Sequence, residues 1–168
     1  MELIELMNSM PFAEALGIEV TDIGDGHARG QLPVADHLRS SPGGEVLHGG
    51  ATYALADTVG GAAVISLSRD VSPTVDMRID YLAPVTTDIH ATAEVIRHGL
   101  ALSMVHVQVH DEDGTRVATA QGTYKSGGQG DRTPWGGDEH RENNAGDHGD
   151  DSPGSDPDGD TAAPQESP

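Results

Sequence analysis

Between Val46 and Ser68 the chain runs for 23 residues, VLHGGATYALADTVGGAAVISLS, with a single charged side chain, Asp57. Small apolar residues on nearly every helical face describe a segment wrapped by protein on all sides. An unpaired carboxylate in such surroundings costs several kcal/mol. Asp57 is therefore either satisfied by neighbouring hydroxyls or kept for chemistry. The same run holds four glycines besides the aspartate, which makes it a poor membrane-spanning helix.

The remainder of the chain narrows the setting. Its 168 residues suffice for one domain with a core. With 28 acidic against 9 basic residues the net charge is −19, and Lys125 is the only lysine. Nucleic acid and anionic membrane both demand a basic face, so neither is expected as a partner. A lysine-poor acidic surface is also what keeps a protein hydrated at molar salt, which points to a halophile's cytoplasm; an ordinary acidic protein with an acidic tail is the alternative. The absence of cysteine removes disulfides, thiolate metal sites and thiol nucleophiles. MELIELMNSM reads as an acidic amphipathic turn or two rather than a secretory signal.

Composition breaks near Ser126. Residues 126–168 contain no Val, Ile, Leu, Met or Phe and carry 11 acidic and 2 basic residues. Such a stretch cannot bury enough surface to offset chain entropy and is expected to be a disordered acidic tail. Its run Asp156-Pro157-Asp158-Gly159-Asp160 lacks the full ligand series of a calcium loop.

Residues 1–125 form the folded unit. A short helix near 2–8 leads past Met10-Pro11, with Phe12 and Leu16 expected to pack on the core. Ile18, Val20 and Ile23 open a strand, Asp25-Gly26 is a hairpin signal, and a second strand runs to about Pro33. Gly24, Gly26 and Gly30 have the wrong spacing for a dinucleotide fingerprint. After the helix at 46–68 come four alternating segments: 75–81, 89–95, 103–109 and 117–124. Period-two alternation means antiparallel strands with one wet face. The economical arrangement is an α+β layer fold: a hairpin, one buried helix, and an antiparallel meander curled around it.

Two features carry candidate chemistry. Gly49 and Gly50 expose backbone N–H groups at a helix start, where orphan donors and the dipole favour a developing negative oxygen. His48 can cap or orient that turn. The alternative is that the glycines only permit tight packing, as Gly60-Gly61 are expected to do. Asp57 lies eight residues beyond Gly49, roughly 12 Å along the axis. One carbonyl carbon cannot touch both, since near-attack distances are ~3–3.5 Å. If both act on one substrate they come from two copies of the helix related by a two-fold axis, with Ala54, Thr58 and Gly61 permitting close approach. His106 and His110 share a strand face without a third metal ligand at a telling spacing. No hydrolase serine elbow and no Walker loop is present.

The series His48-Gly49-Gly50-(x)4-Leu55-Ala56-Asp57 resembles the signature of the hotdog-fold acyl-CoA thioesterases of the phenylacetate-degradation (PaaI-like) type. Residues Thr74 to Pro84, TVDMRIDYLAP, resemble that family's strand after the helix. The resemblance covers roughly residues 10–125 and implies an antiparallel sheet around one long helix, in homodimers that often pair into homotetramers. It implies a Gly49 amide polarising a thioester carbonyl and Asp57 of the partner subunit as nucleophile or general base. Thr74 would position the water or the carboxylate, and no metal or cofactor is required. Relatives carry Asn or Gln six or seven residues before the His, where this chain has Pro42 and Ser41; Ser41 could supply a hydroxyl instead. Gly50, Ser41 and Arg78 are the substrate-binding candidates, with Arg69 and Arg97 as further basic positions for the CoA phosphates. The expected activity is hydrolysis of an acyl-CoA or aryl-CoA; the alternatives are a non-catalytic acyl-CoA-binding protein and a hydratase or dehydratase. Deleting residues 128–168 is expected to leave the thermal unfolding midpoint and catalysis unchanged, as circular dichroism and activity assays would show.

Overall fold

The computed structural model describes residues 2–126. The expected tail, apart from Ser126, and its acidic run at 156–160 lie outside the described residues. The order of elements is α1 (Leu3–Asn8), α2 (Pro11–Leu16), β1 (Glu19–Gly24), β2 (His27–Leu32), a 3-10 turn (Asp36–Leu38), α3 (Gly49–Ser68), β3 (Thr74–Tyr81), β4 (Ile89–His98), β5 (Leu102–Asp111) and β6 (Arg116–Lys125). The six strands form one antiparallel sheet in the order β1-β2-β4-β5-β6-β3. Helix α3 packs against all six, so the sheet curls around it. This is the hotdog architecture.

Local signals explain most elements. Asp25 (φ 49°) and Gly26 (φ 80°) are both left-handed, which gives the β1–β2 hairpin a turn whose twist suits the strands. The Gly26 amide donates to the buried Ser66 hydroxyl at 2.8 Å, tying that turn to the last turn of α3. Asn8 grips β1 from α1, donating to the Val20 carbonyl (2.9 Å) and accepting from the Val20 amide (2.7 Å). Val105, Val107 and Val109 of β5 are wholly buried, and Ile89, Ala91 and Ala93 of β4 share that inner face, as their alternation predicts.

Four expectations are corrected. The long helix starts at Gly49 rather than Val46, because Leu47 is held in an isolated bridge to Arg39 and His48 caps the helix. Phe12 does not pack on the core but is 68% exposed. It sits on α2, a helix announced by Pro11 at its first position and by the left-handed Gly17 that ends it. Leu16 of the same helix does pack on the core. The meander is confined to β4–β6: β3 crosses to the far edge and pairs with β6. On that edge Val75, at a bulge, and Tyr81 are exposed, and Met77 and Ile79 are only half-buried.

Helix α3 is correspondingly open on one stripe. Tyr53, Asp57, Thr58 and Gly61 are half-buried while twelve other residues of the helix are buried. Beside this stripe Tyr124 of β6 inserts its ring between sheet and helix. A Cβ on Gly60 would lie 2.5 Å from the Tyr124 hydroxyl, and one on Gly122 2.6 Å from its ring. Two glycines thus admit one phenol. Burial first, and then the charge of Asp57 and a hydrogen bond to it, push the Tyr124 hydroxyl far above the usual phenol range. It stays a protonated donor.

Two consequences are measurable. Leu32→Ala, at a fully buried site, is expected to cost about 2–5 kcal/mol in guanidinium unfolding. The raised phenol gives stability that is full below about pH 10, the unfolded tyrosine value, and falls as pH rises above it. Tyr124→Phe is expected to flatten that alkaline fall in a pH series of unfolding curves.

Candidate active site

The start of α3 is built by two hydrogen bonds within its own turn. His48 is the N-cap, and its Nδ1 accepts from the Gly50 amide at 2.9 Å. The Ala51 amide donates to the His48 carbonyl at 2.9 Å. The Gly49 N–H has no acceptor among the described residues. Of the two expected backbone donors, then, Gly50 is engaged by its own cap and Gly49 is free to meet a ligand. Its amide faces the N-terminal dipole region, where an oxyanion is favoured.

Beside Gly49 lies an open groove of about 340 Å³ lined by Val46, Leu47, Gly49, Thr52, Tyr81 and the segment 82–85. Its walls are mostly apolar. The Tyr81 hydroxyl donates to the Gly49 carbonyl at 2.8 Å. Its ring lies so close that a Cβ on Gly49 would be 3.1 Å from it.

Asp57 sits two turns further along, on the open stripe. Its Oδ1 accepts from the Thr74 hydroxyl at 2.8 Å and from the Tyr124 hydroxyl at 3.1 Å. Oδ2 accepts no hydrogen bond, and no basic side chain pairs with the carboxylate, among the described residues. The hydroxyl partners that a purely structural aspartate requires are present, but they hold one oxygen only. The carboxylate is half-buried rather than enclosed. An anchored oxygen beside an open one is a geometry able to receive a proton from water or to attack a carbonyl.

Within this chain the structure therefore joins Thr74 to Asp57 and joins His48 and Gly50 to Gly49, leaving the two groups apart on one helix. Ser41 is not brought to Gly49. It lies in a separate groove of about 580 Å³ formed by Asp36 and residues 39–45. Arg78 is exposed on β3 and pairs with Asp80 at 3.0 Å, outside the groove at Gly49. His106 bonds the Thr119 hydroxyl at 3.0 Å and faces Glu94, while His110 faces His90. No group of three or more metal-binding side chains is assembled among the described residues.

Two site residues escaped the sequence reading. Tyr81 entered it as an apolar position of an alternating strand and within the family-like segment Thr74 to Pro84, without a task of its own. Tyr124 entered only as the end of the last strand. Nothing local gives either its partner, which lies on α3, 32 residues away for Tyr81 and 67 for Tyr124. Tyr53, one turn before Asp57, adds a third phenol whose proton is held more tightly than usual by burial and then by the charges of Asp57 and Asp76.

Comparison with known proteins gives the family. The model described as Thioesterase superfamily matches residues 44–118, which include Gly49, Asp57, Thr74 and Tyr81. A Halobacterium salinarum protein with a provisional esterase name is 34% identical over 121 residues, 66% of this chain and 80% of that protein. The medium/long-chain acyl-CoA thioesterase YigI of Salmonella typhimurium is 27% identical over 134 residues, 70% of this chain and 86% of YigI. Among solved structures, the E. coli PaaI protein from the phenylacetic acid degradation operon aligns with a TM-score of 0.67 at 25% identity, over 74% of this chain and 89% of PaaI. The chain thus belongs to the thioesterase superfamily and is a hotdog-fold hydrolase of thioester bonds.

Proposed function

We propose that the protein hydrolyses an acyl-CoA or aryl-CoA to the free acid and CoA at sites shared between two copies of the chain. The observation that carries this reading is the placement of β3. Its first residue, Thr74, holds Asp57, and its last, Tyr81, holds Gly49. Its outer edge is unpaired among the described residues, since β6 occupies only the inner one. An exposed edge strand is a template for another strand. Antiparallel pairing of β3 with β3 of a second copy sets the Thr74 end of one against the Tyr81 end of the other. Each Asp57 then approaches the other copy's Gly49, giving two equivalent sites about a two-fold axis. The open stripe of α3 is covered by the same association, and such dimers can pair into tetramers.

At such a site the Gly49 amide draws the thioester oxygen and polarises the carbonyl. Asp57 of the partner subunit either takes a proton from water, whose hydroxide adds to the carbonyl carbon, or adds to it directly. In the first route the tetrahedral adduct collapses with loss of the CoA thiolate. In the second a mixed anhydride forms as the thiolate leaves, and water then cleaves it. Thr74 and Tyr124 keep the carboxylate oriented in both. The apolar groove at Gly49 suits a hydrophobic acyl or aryl group. The named substrate of YigI and the operon of PaaI support this class. Arg78, on the exposed strand, is a candidate for CoA phosphates, with salt screening the acidic surface. The acidic, lysine-poor composition supports work in a salt-rich cytoplasm.

Thiol release from a panel of acyl- and aryl-CoA substrates in molar KCl tests the activity; tight binding without turnover would favour a non-catalytic binder instead. Asp57→Asn is expected to lower kcat at least ~100-fold with the oligomer intact by size-exclusion chromatography. Near-normal activity would remove Asp57 from the mechanism. Gly49→Pro deletes the amide donor at the first helical position, where the backbone accepts proline, and its ring also presses on Tyr81, so the variant is blocked at Gly49. Mixing it with Asp57→Asn subunits is expected to restore part of the activity, because one site of each mixed dimer is whole. A flat result after verified subunit exchange would defeat the shared site.

A further inference from the structure

We infer that Tyr81 is a positioning residue that aims the Gly49 amide at the substrate oxygen; this rests on the thioesterase site proposed above. Glycine is the residue least able to hold a direction by itself, and here two stand in succession at a helix start whose amides have no acceptors within the helix. An N–H is useful to an oxyanion only when it is aimed beforehand.

The bonds around Gly49 supply that aim. A peptide unit is planar, so fixing its oxygen also fixes its N–H. The unit that bears the Gly49 N–H is held at its oxygen, the His48 carbonyl, by the Ala51 amide at 2.9 Å. The following unit is held at both ends: its oxygen, that of Gly49, accepts from the Tyr81 hydroxyl at 2.8 Å, and its N–H, that of Gly50, donates to His48 Nδ1 at 2.9 Å. Both planes that meet at the Gly49 α-carbon are therefore clamped, and the Gly49 N–H is left without an acceptor among the described residues.

Stability does not require this bond. Tyr81 is 53% exposed, and water can satisfy its hydroxyl when the Gly49 carbonyl does not. Nor is the approach accidental, since a side chain on residue 49 would press on the ring at 3.1 Å. The absence of a Cβ at Gly49 and the hydroxyl of Tyr81 are two halves of one device. Tyr81 acts through the backbone, without touching the reacting atoms.

The test removes the hydroxyl and keeps the ring. Tyr81→Phe is expected to lower kcat on the order of 10-fold while changing KM less than about 2-fold, the pattern of an interaction realised in the transition state. Its melting temperature and oligomeric state should match the parent. A second readout is independent of turnover. Hexanoyl-CoA labelled with ¹³C at the carbonyl is bound to full-length Asp57→Asn protein, and its carbonyl stretch is recorded by isotope-edited infrared spectroscopy. A shift to lower frequency than in solution is expected, and Asp57→Asn combined with Tyr81→Phe should return part of it. An equal shift in both proteins, with kcat of Tyr81→Phe unchanged, would overturn the role of Tyr81 and leave the Gly49 site standing. No shift in Asp57→Asn alone would overturn both.

Discussion

One phenol joins the two layers of this molecule at the one carboxylate of α3. Tyr124 leaves the sheet, passes through the gap left by Gly60 and Gly122, and reaches Asp57 with its hydroxyl. The bond has three effects together. It satisfies a buried hydroxyl, which would otherwise be costly. It fixes the separation of α3 from β6. It also anchors Oδ1, so that Oδ2 alone is left without a partner among the described residues. Thr74 completes the hold from β3. Burial, and then the carboxylate beside it, keep the phenol protonated, and a protonated phenol remains a donor to the carboxylate.

Much of this was written locally in the chain. Asp25-Gly26 specifies its turn through backbone preference alone, and the valines of β5 specify their inner face through alternation. The helix and its carboxylate stand out because a single charge interrupts a run of small residues. What local pattern did not specify is where β3 lies. An alternating strand reads the same whether its neighbour follows it in sequence or, as here, comes more than thirty residues later. Phe12 failed for a related reason: a short helix has an exposed side, and the ring's apolarity does not say which side it takes.

The candidate site divides along the same line. His48, Gly49 and Asp57 were legible because each does something unusual for its position: an imidazole cap, a bare amide, a charge among apolar neighbours. Tyr81 and Tyr124 were not, because a tyrosine in a strand is ordinary and only its reach onto another element gives it a task. Ser41 and Arg78 show the converse. Their side-chain chemistry suited a substrate, but the loop that closes through the Arg39–Leu47 bridge and the outward face of β3 place them away from the Gly49 groove within one protomer.

The crossing of β3 to the far edge also sets a timetable. Thr74 aligns with Tyr124, at opposite ends of the second half of the domain. As the chain emerges from a ribosome, Asp57 and Thr74 appear early and the phenol that completes their cradle appears last. Closing so long a loop comes late on entropic grounds as well. A nascent or truncated chain can therefore hold the hairpin, the helix and the β4–β5 ladder while its carboxylate is still unanchored, and the proposed half-site is finished only when the last strand docks.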